Sequence, residues 1–198
     1  MNILTVFPTK NQILHDATGA FIPEARRFRA LRKSKGDQVS EFTFDPKTLK
    51  SPDGLFNVIA QGHFDCVAIF SHGIATGLPQ LHINRPRAKE FAEILTSAAP
   101  GGINVILYCC LTDAPMKTGM NFASTLAQEL RAIGNPFTLF THRTAGHCCE
   151  NPNATVYRGA TKIQYPQAAG TLKARYLARM KDTKDNLRFD LPFGDEAI

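Results

Sequence analysis

Two stretches decide the fold. Residues 67–73 read VAIFSHG, and residues 103–113 read INVILYCCLTD. Each is an apolar run of strand length that stops abruptly at a reactive side chain, His72 in the first, Cys109 and Cys110 in the second. An unbroken apolar run, in place of alternation, is what a strand needs when both faces of its sheet are covered.

Working outward, the same pattern recurs. Residues 2–7 and 39–44 read as strands, and FTLFTH at 137–142 as another. Between them lie helical periods. Pro23 opens a helix over 23–34 at the favoured first-turn position, and Gly36 ends it. Residues 54–62 read as a short amphipathic helix. Ala88, Phe91, Ile94 and Leu95 share one face of a helix over 87–98. NFASTLAQELRAIG at 121–134 places apolar residues at helical spacing and a glycine at its C-terminal end. Strand and helix alternate through at least four units, which predicts an α/β fold with a mostly parallel sheet covered on both faces.

Composition sets the frame. The chain has 198 residues, enough for one sizeable core, with 43% hydrophobic and 20% charged residues. The expected organisation is one domain over 1–165, followed by a C-terminal helix and tail over 166–198. The net charge of +6 comes mainly from segments 25–35 and 172–184. There the cations alternate with apolar residues at helical spacing, as on a solvated helix face, so nucleic-acid binding is not the expectation. The opening MNILTVFPTK lacks a basic n-region and a small-residue cleavage site, and no run approaches the roughly 18 apolar residues of a membrane span. Five cysteines, four of them in the vicinal pairs Cys109–Cys110 and Cys148–Cys149, make a poor disulfide framework. Reduced thiols in a cytoplasmic protein are expected.

In an open α/β sheet, ligands bind outside the carboxyl ends of the strands. That rule gathers His72, Cys110 and His142 along one edge. Cysteine attack on a carbonyl needs a thiolate, an imidazole to protonate the leaving group, and N–H donors for the oxyanion. Cys110, His72 and the backbone N–H groups of Gly73 and Cys110 fill those roles, and glycine at 73 lets a substrate approach closely. Spacing alone leaves a second reading open, a non-catalytic or nucleotide-binding α/β module in which Cys110 is a small buried hydrophobe and His72 a loop residue. No phosphate-cradling glycine loop is present, since Gly73 and Gly77 lack the G-x-G-x-x-G spacing.

FDCVAIFSHG at 64–73, GGINVILYCCLTD at 101–113 and GMNFASTLAQELRAIGNPFTLFTH at 119–142 resemble the core of the caspase-like (clan CD) cysteine peptidases. In that group one strand ends in His-Gly, the next in the nucleophilic cysteine, and a helix and another strand follow. The resemblance spans about residues 2–142. It implies a three-layer α/β/α sandwich, a His72–Cys110 dyad and a protein or peptide substrate, and leaves room for a regulatory protein partner. The family pattern of a small residue, Cys, any residue, then Thr or Ser sets the register with Cys109 at the small position, Cys110 as nucleophile and Thr112 at the hydroxyl. The caspase QACxG motif is absent, and Tyr108 stands where metacaspases carry an acid, so the family's substrate preferences do not transfer.

THRTAGHCCENPN at 141–153 follows the 137–142 strand and packs His, Cys and Arg around a flexible Gly146. It is expected to line the substrate pocket, with Arg143 or His147 making polar contacts. Asp113, three residues past the nucleophile, is the competing determinant and would favour a basic substrate side chain. A zinc site built from His142, His147 and the cysteines lacks a C-x-x-C or H-x3–5-H pair with matching partners, so neither metal nor cofactor is expected.

Overall fold

The computed structural model describes residues 1–9, 21–144 and 153–164. The expected C-terminal helix at 166–198 lies outside the described residues, as do His147, Cys148 and Cys149.

Strand β1 (Asn2–Pro8) leads to helix α1 (Phe21–Ser34), β2 (Gln38–Phe44), α2 (Asp53–Gln61) and β3 (Cys66–Phe70). A two-residue hairpin, β4 (Gly77–Leu78) with β5 (Ile83–Asn84), precedes α3 (Ala88–Ala98) and β6 (Ile103–Tyr108). Helix α4 (Phe122–Ile133), β7 (Phe137–His142), β8 (Ala154–Arg158) and β9 (Thr161–Gln164) complete the described chain. Seven strands form one sheet in the order β2-β1-β3-β6-β7-β8-β9. The first five run parallel, and β8 and β9 add antiparallel. The fold is therefore α/β with a mostly parallel central sheet.

Both sheet faces are covered, which is why β3 and β6 read as unbroken apolar runs. Alternate strand residues point to opposite sides. Leu4, Val67, Ile69, Val105 and Leu107 pack with Leu55, Phe91, Leu95, Leu126 and Leu130 of α2, α3 and α4. Ile3, Ala68, Phe70, Ile106 and Tyr108 pack with Phe21, Ala25 and Phe28 of α1. Burying side chains of this size contributes roughly 1.5–3 kcal/mol each.

The expected helices and strands lie within about two residues of the observed ones. Gly134 ends α4 in the left-handed region at φ 90°, where glycine carries no Cβ penalty. The β8–β9 hairpin was not anticipated. Its turn, Gly159-Ala160, has Gly159 at φ 54°, and this positive φ is the local device that reverses the chain.

Candidate active site at the ends of β3 and β6

Strands β3 and β6 are adjacent and parallel, and their last paired residues are Phe70 and Tyr108. Each chain then leaves the same sheet edge, so His72 and Cys110 each lie two residues beyond a paired partner. Beneath them the Phe70 and Tyr108 rings stack at 4.4 Å and 20°, and Phe28 of α1 closes the cluster. Tyr108 is fully buried in this stack, so the position two before Cys110 is closed to a substrate.

The two thiols differ. Cys109 is fully buried, donates to the Ile69 carbonyl at 3.4 Å and lies 3.5 Å from the Ser71 hydroxyl. Cys110 is half-buried. Cys66, at the start of β3, is buried, and burial pushes its thiol up to about 12, which suppresses thiolate formation. Among the described cysteines none is in a disulfide, and Cys110 alone reaches the surface. This matches the register that makes Cys109 the small buried neighbour.

His72 is half-buried, its ring edge-on to Phe21 at 5.2 Å. Its backbone N–H donates to Gln80 Oε1 at 3.2 Å. Gly73 also has a packing role. A Cβ there would overlap the Cys110 carbonyl oxygen and come within 2.8 Å of Cys109 Cβ and 2.9 Å of Thr112 Cγ2. The missing side chain thus serves the close approach of the two strand-end loops to each other.

Helix α4 ties both loops together. The first-turn N–H groups of a helix have no partner within it. Here Phe122 N–H donates to Ala75 O of the histidine loop at 2.8 Å, and Ala123 N–H to Thr112 O of the cysteine loop at 3.0 Å. Asn121 caps the helix by accepting from Ser124 N–H at 2.9 Å, and its amide donates to Ala114 O at 3.1 Å. One helix end therefore fixes the spacing of the candidate dyad.

The cysteine loop is strained. Leu111, directly after Cys110, sits at φ 60°, a region that costs a branched residue about 1–2 kcal/mol. Such conformations persist where the surroundings over-determine them. Thr112 Oγ1 donates to Cys109 O at 3.3 Å, so the expected hydroxyl position braces the turn from within.

The remaining candidates divide. Arg143 follows β7 at the same edge and is half-buried, its backbone N–H donating to Asn153 O at 2.8 Å. Asp113 departs from the expectation that it meets a basic substrate group. Its carboxylate is fully buried and accepts from Thr155, Tyr157 and Lys162, a placement that serves the sheet edge and not an incoming side chain. His142, at the end of β7, is buried, and burial holds its imidazole down at about 4, so it is neutral near pH 7. A shallow cleft of about 220 Å3 beside the histidine loop is lined by Ile74, Thr76, Leu78, Pro79, His82 and Ile83, and by neither member of the dyad.

Sequence reasoning missed Phe21, Ser71 and Gln80 around His72, and the β8–β9 donors to Asp113. Gln80 and the donors are held by contacts without a local signature, while the alternation of Thr155 and Tyr157 ahead of a glycine turn was the one signal available. No protein-family model matches the chain, and no curated protein does either.

Proposed function

We propose that the chain is a caspase-like cysteine endopeptidase that hydrolyses peptide bonds through a His72–Cys110 dyad. The observation that carries this reading is the register of β3 and β6, which brings a half-buried thiol and a half-buried imidazole off neighbouring strands at equivalent positions. In the proposed reaction the Cys110 thiolate attacks the scissile carbonyl, and backbone N–H groups of Gly73 and Cys110 receive the oxyanion. His72 protonates the departing amine as the C–N bond breaks, leaving a thioester on Cys110. Water, deprotonated by His72, then attacks that thioester, releases the acid and restores the thiol. Arg143 is proposed to contact the substrate, which is a protein or peptide, with a regulatory partner and a cytoplasmic setting as the accompanying expectations. Among the described residues no helix is long and apolar enough to cross a membrane.

A second reading has one specific observation in its favour. The strand order reverses between β1 and β3, and such a switch point is where doubly wound sheets bind small ligands, nucleotides among them. Labelling separates the two. An iodoacetamide or acyloxymethyl-ketone probe followed by peptide mapping is expected to modify Cys110 first, and His72→Ala to slow that labelling by about tenfold or more. Labelling that bypasses Cys110, or proceeds at an undiminished rate in His72→Ala, would sink the peptidase reading and leave the ligand-binding one.

A further inference from the structure

Asp113 is the most deeply buried charge beside the candidate site. A carboxylate withdrawn from water is costly unless donors surround it. Among the described residues Asp113 has three: Thr155 Oγ1 donates at 2.6 Å, the Tyr157 hydroxyl donates, and Lys162 Nζ lies at 3.4 Å. All three come from the β8–β9 hairpin. Tyr157 is also joined to Ser124 of α4 at 2.9 Å, and the Lys162 ammonium sits 5.0 Å above the Tyr157 ring. Burial first, with Asp113 adding to it, holds the Tyr157 phenol well above its ordinary range, so it remains a donor at any physiological pH.

Between Asp113 and Cys110 lies the strained Leu111 turn. Besides the Ala123 N–H bond to Thr112 O, its backbone has two further tethers. Leu111 N–H reaches Thr144 O at 3.4 Å, near the limit for such a bond, and Asp113 N–H reaches His142 O at 3.0 Å. The bonds to the Asp113 carboxylate are charge-assisted and therefore stronger than the neutral backbone bonds that hold this loop. We infer that Asp113 is a positioning residue: by anchoring on Thr155, Tyr157 and Lys162 it locks the Leu111 turn and so aims the Cys110 side chain and backbone N–H. The effect on turnover rests on the peptidase reading, whereas the anchoring of the loop does not.

The test uses the full chain with Asp113→Asn and the milder Tyr157→Phe. Amide hydrogen exchange over residues 109–114 is compared with exchange in β1 and β3, and kcat and KM for a peptide substrate are measured per titrated Cys110. In Asp113→Asn the loop amides should exchange about tenfold faster or more, with β1 and β3 unchanged. The value of kcat should fall about tenfold or more while KM stays within about twofold, because ground-state binding is untouched. The pH midpoint of Cys110 alkylation should not move, since aim and not ionisation is altered. Tyr157→Phe should shift the same readouts in the same direction by less, and it carries the test alone if Asp113→Asn does not fold. Loop exchange unchanged, exchange raised equally in β1 and β3, or kcat per Cys110 retained despite faster loop exchange each overturn the inference. A wild-type chain that cleaves no peptide counts against the peptidase reading, and the exchange comparison then decides the anchoring on its own.

Discussion

At the scale of single residues, burial separates two adjacent and chemically identical thiols. Cys109 touches Ile69 and Ser71 in the interior, whereas Cys110 reaches the surface. Cys110→Ala is expected to abolish peptide hydrolysis with the urea midpoint nearly unchanged, because it removes one half-exposed sulfur. Cys109→Ala removes a buried sulfur, so it should cost about 1 kcal/mol of stability and leave most of the turnover in place. Turnover assays beside urea titrations check both, and activity lost in Cys109→Ala but kept in Cys110→Ala would shift the nucleophile by one residue. The placement of His72 and Cys110 just beyond neighbouring strand ends was legible in the sequence because each follows an apolar run. The burial of Asp113 was not. An acid after a strand reads as surface, and its donors lie 42 to 49 residues further along, beyond any local periodicity.

At the scale of elements, the ends of β3 and β6 are held by an aromatic stack. Phe70 and Tyr108 are paired in register and stacked face to face, and the loops that carry His72 and Cys110 begin directly above them. Phe70→Ala is expected to destabilise the fold by about 3–5 kcal/mol, with the lost stacking included in that figure. Phe70→Leu, which keeps most of the volume, should cost less than half as much. Urea unfolding of both variants measures the difference, and equal losses would mean that the stacked ring, and not the volume leucine restores, carries the contribution. The parallel strands were legible because double-sided burial writes an apolar run into the sequence. The β8–β9 hairpin was not, since β9 is an exposed edge strand with one half-buried residue, Ile163, and its composition is that of a loop. The β4–β5 pair, two residues a side, is too short to carry any period.

At the scale of the whole molecule, one buried imidazole links stability to pH. His142 is held neutral down to about 4 by its burial, while in an unfolded chain it takes up a proton near pH 6.5. Between those values the unfolded state binds the extra proton, so the contribution is complete above about pH 6.5 and is lost as the pH falls toward about 4. The loss from this group is on the order of 3 kcal/mol. Urea midpoints measured from pH 7.5 down to pH 4.5 should fall, and His142→Phe should flatten that slope. An unchanged slope in the variant would assign the acid sensitivity to other groups. The alternation of strand and helix, hence the α/β class, was readable from period alone. The strand order was not, because it depends on which edge each crossover returns to.

That order also sets a schedule. Once β1 has β2 and β3 as neighbours, each later strand of this sheet pairs with the sheet strand that precedes it in the chain, so the later strands are added at a single edge. Asp113 emerges 42 residues ahead of Thr155, its first side-chain donor. At about 5–20 residues per second that interval is roughly 2–8 seconds. Throughout it the hairpin donors to the carboxylate are not yet made. The five parallel strands are therefore synthesised before the hairpin that supplies the described donors to Asp113. A nascent chain therefore passes through an interval in which the Cys110 thiol is present and the hairpin that holds the Asp113 carboxylate is not.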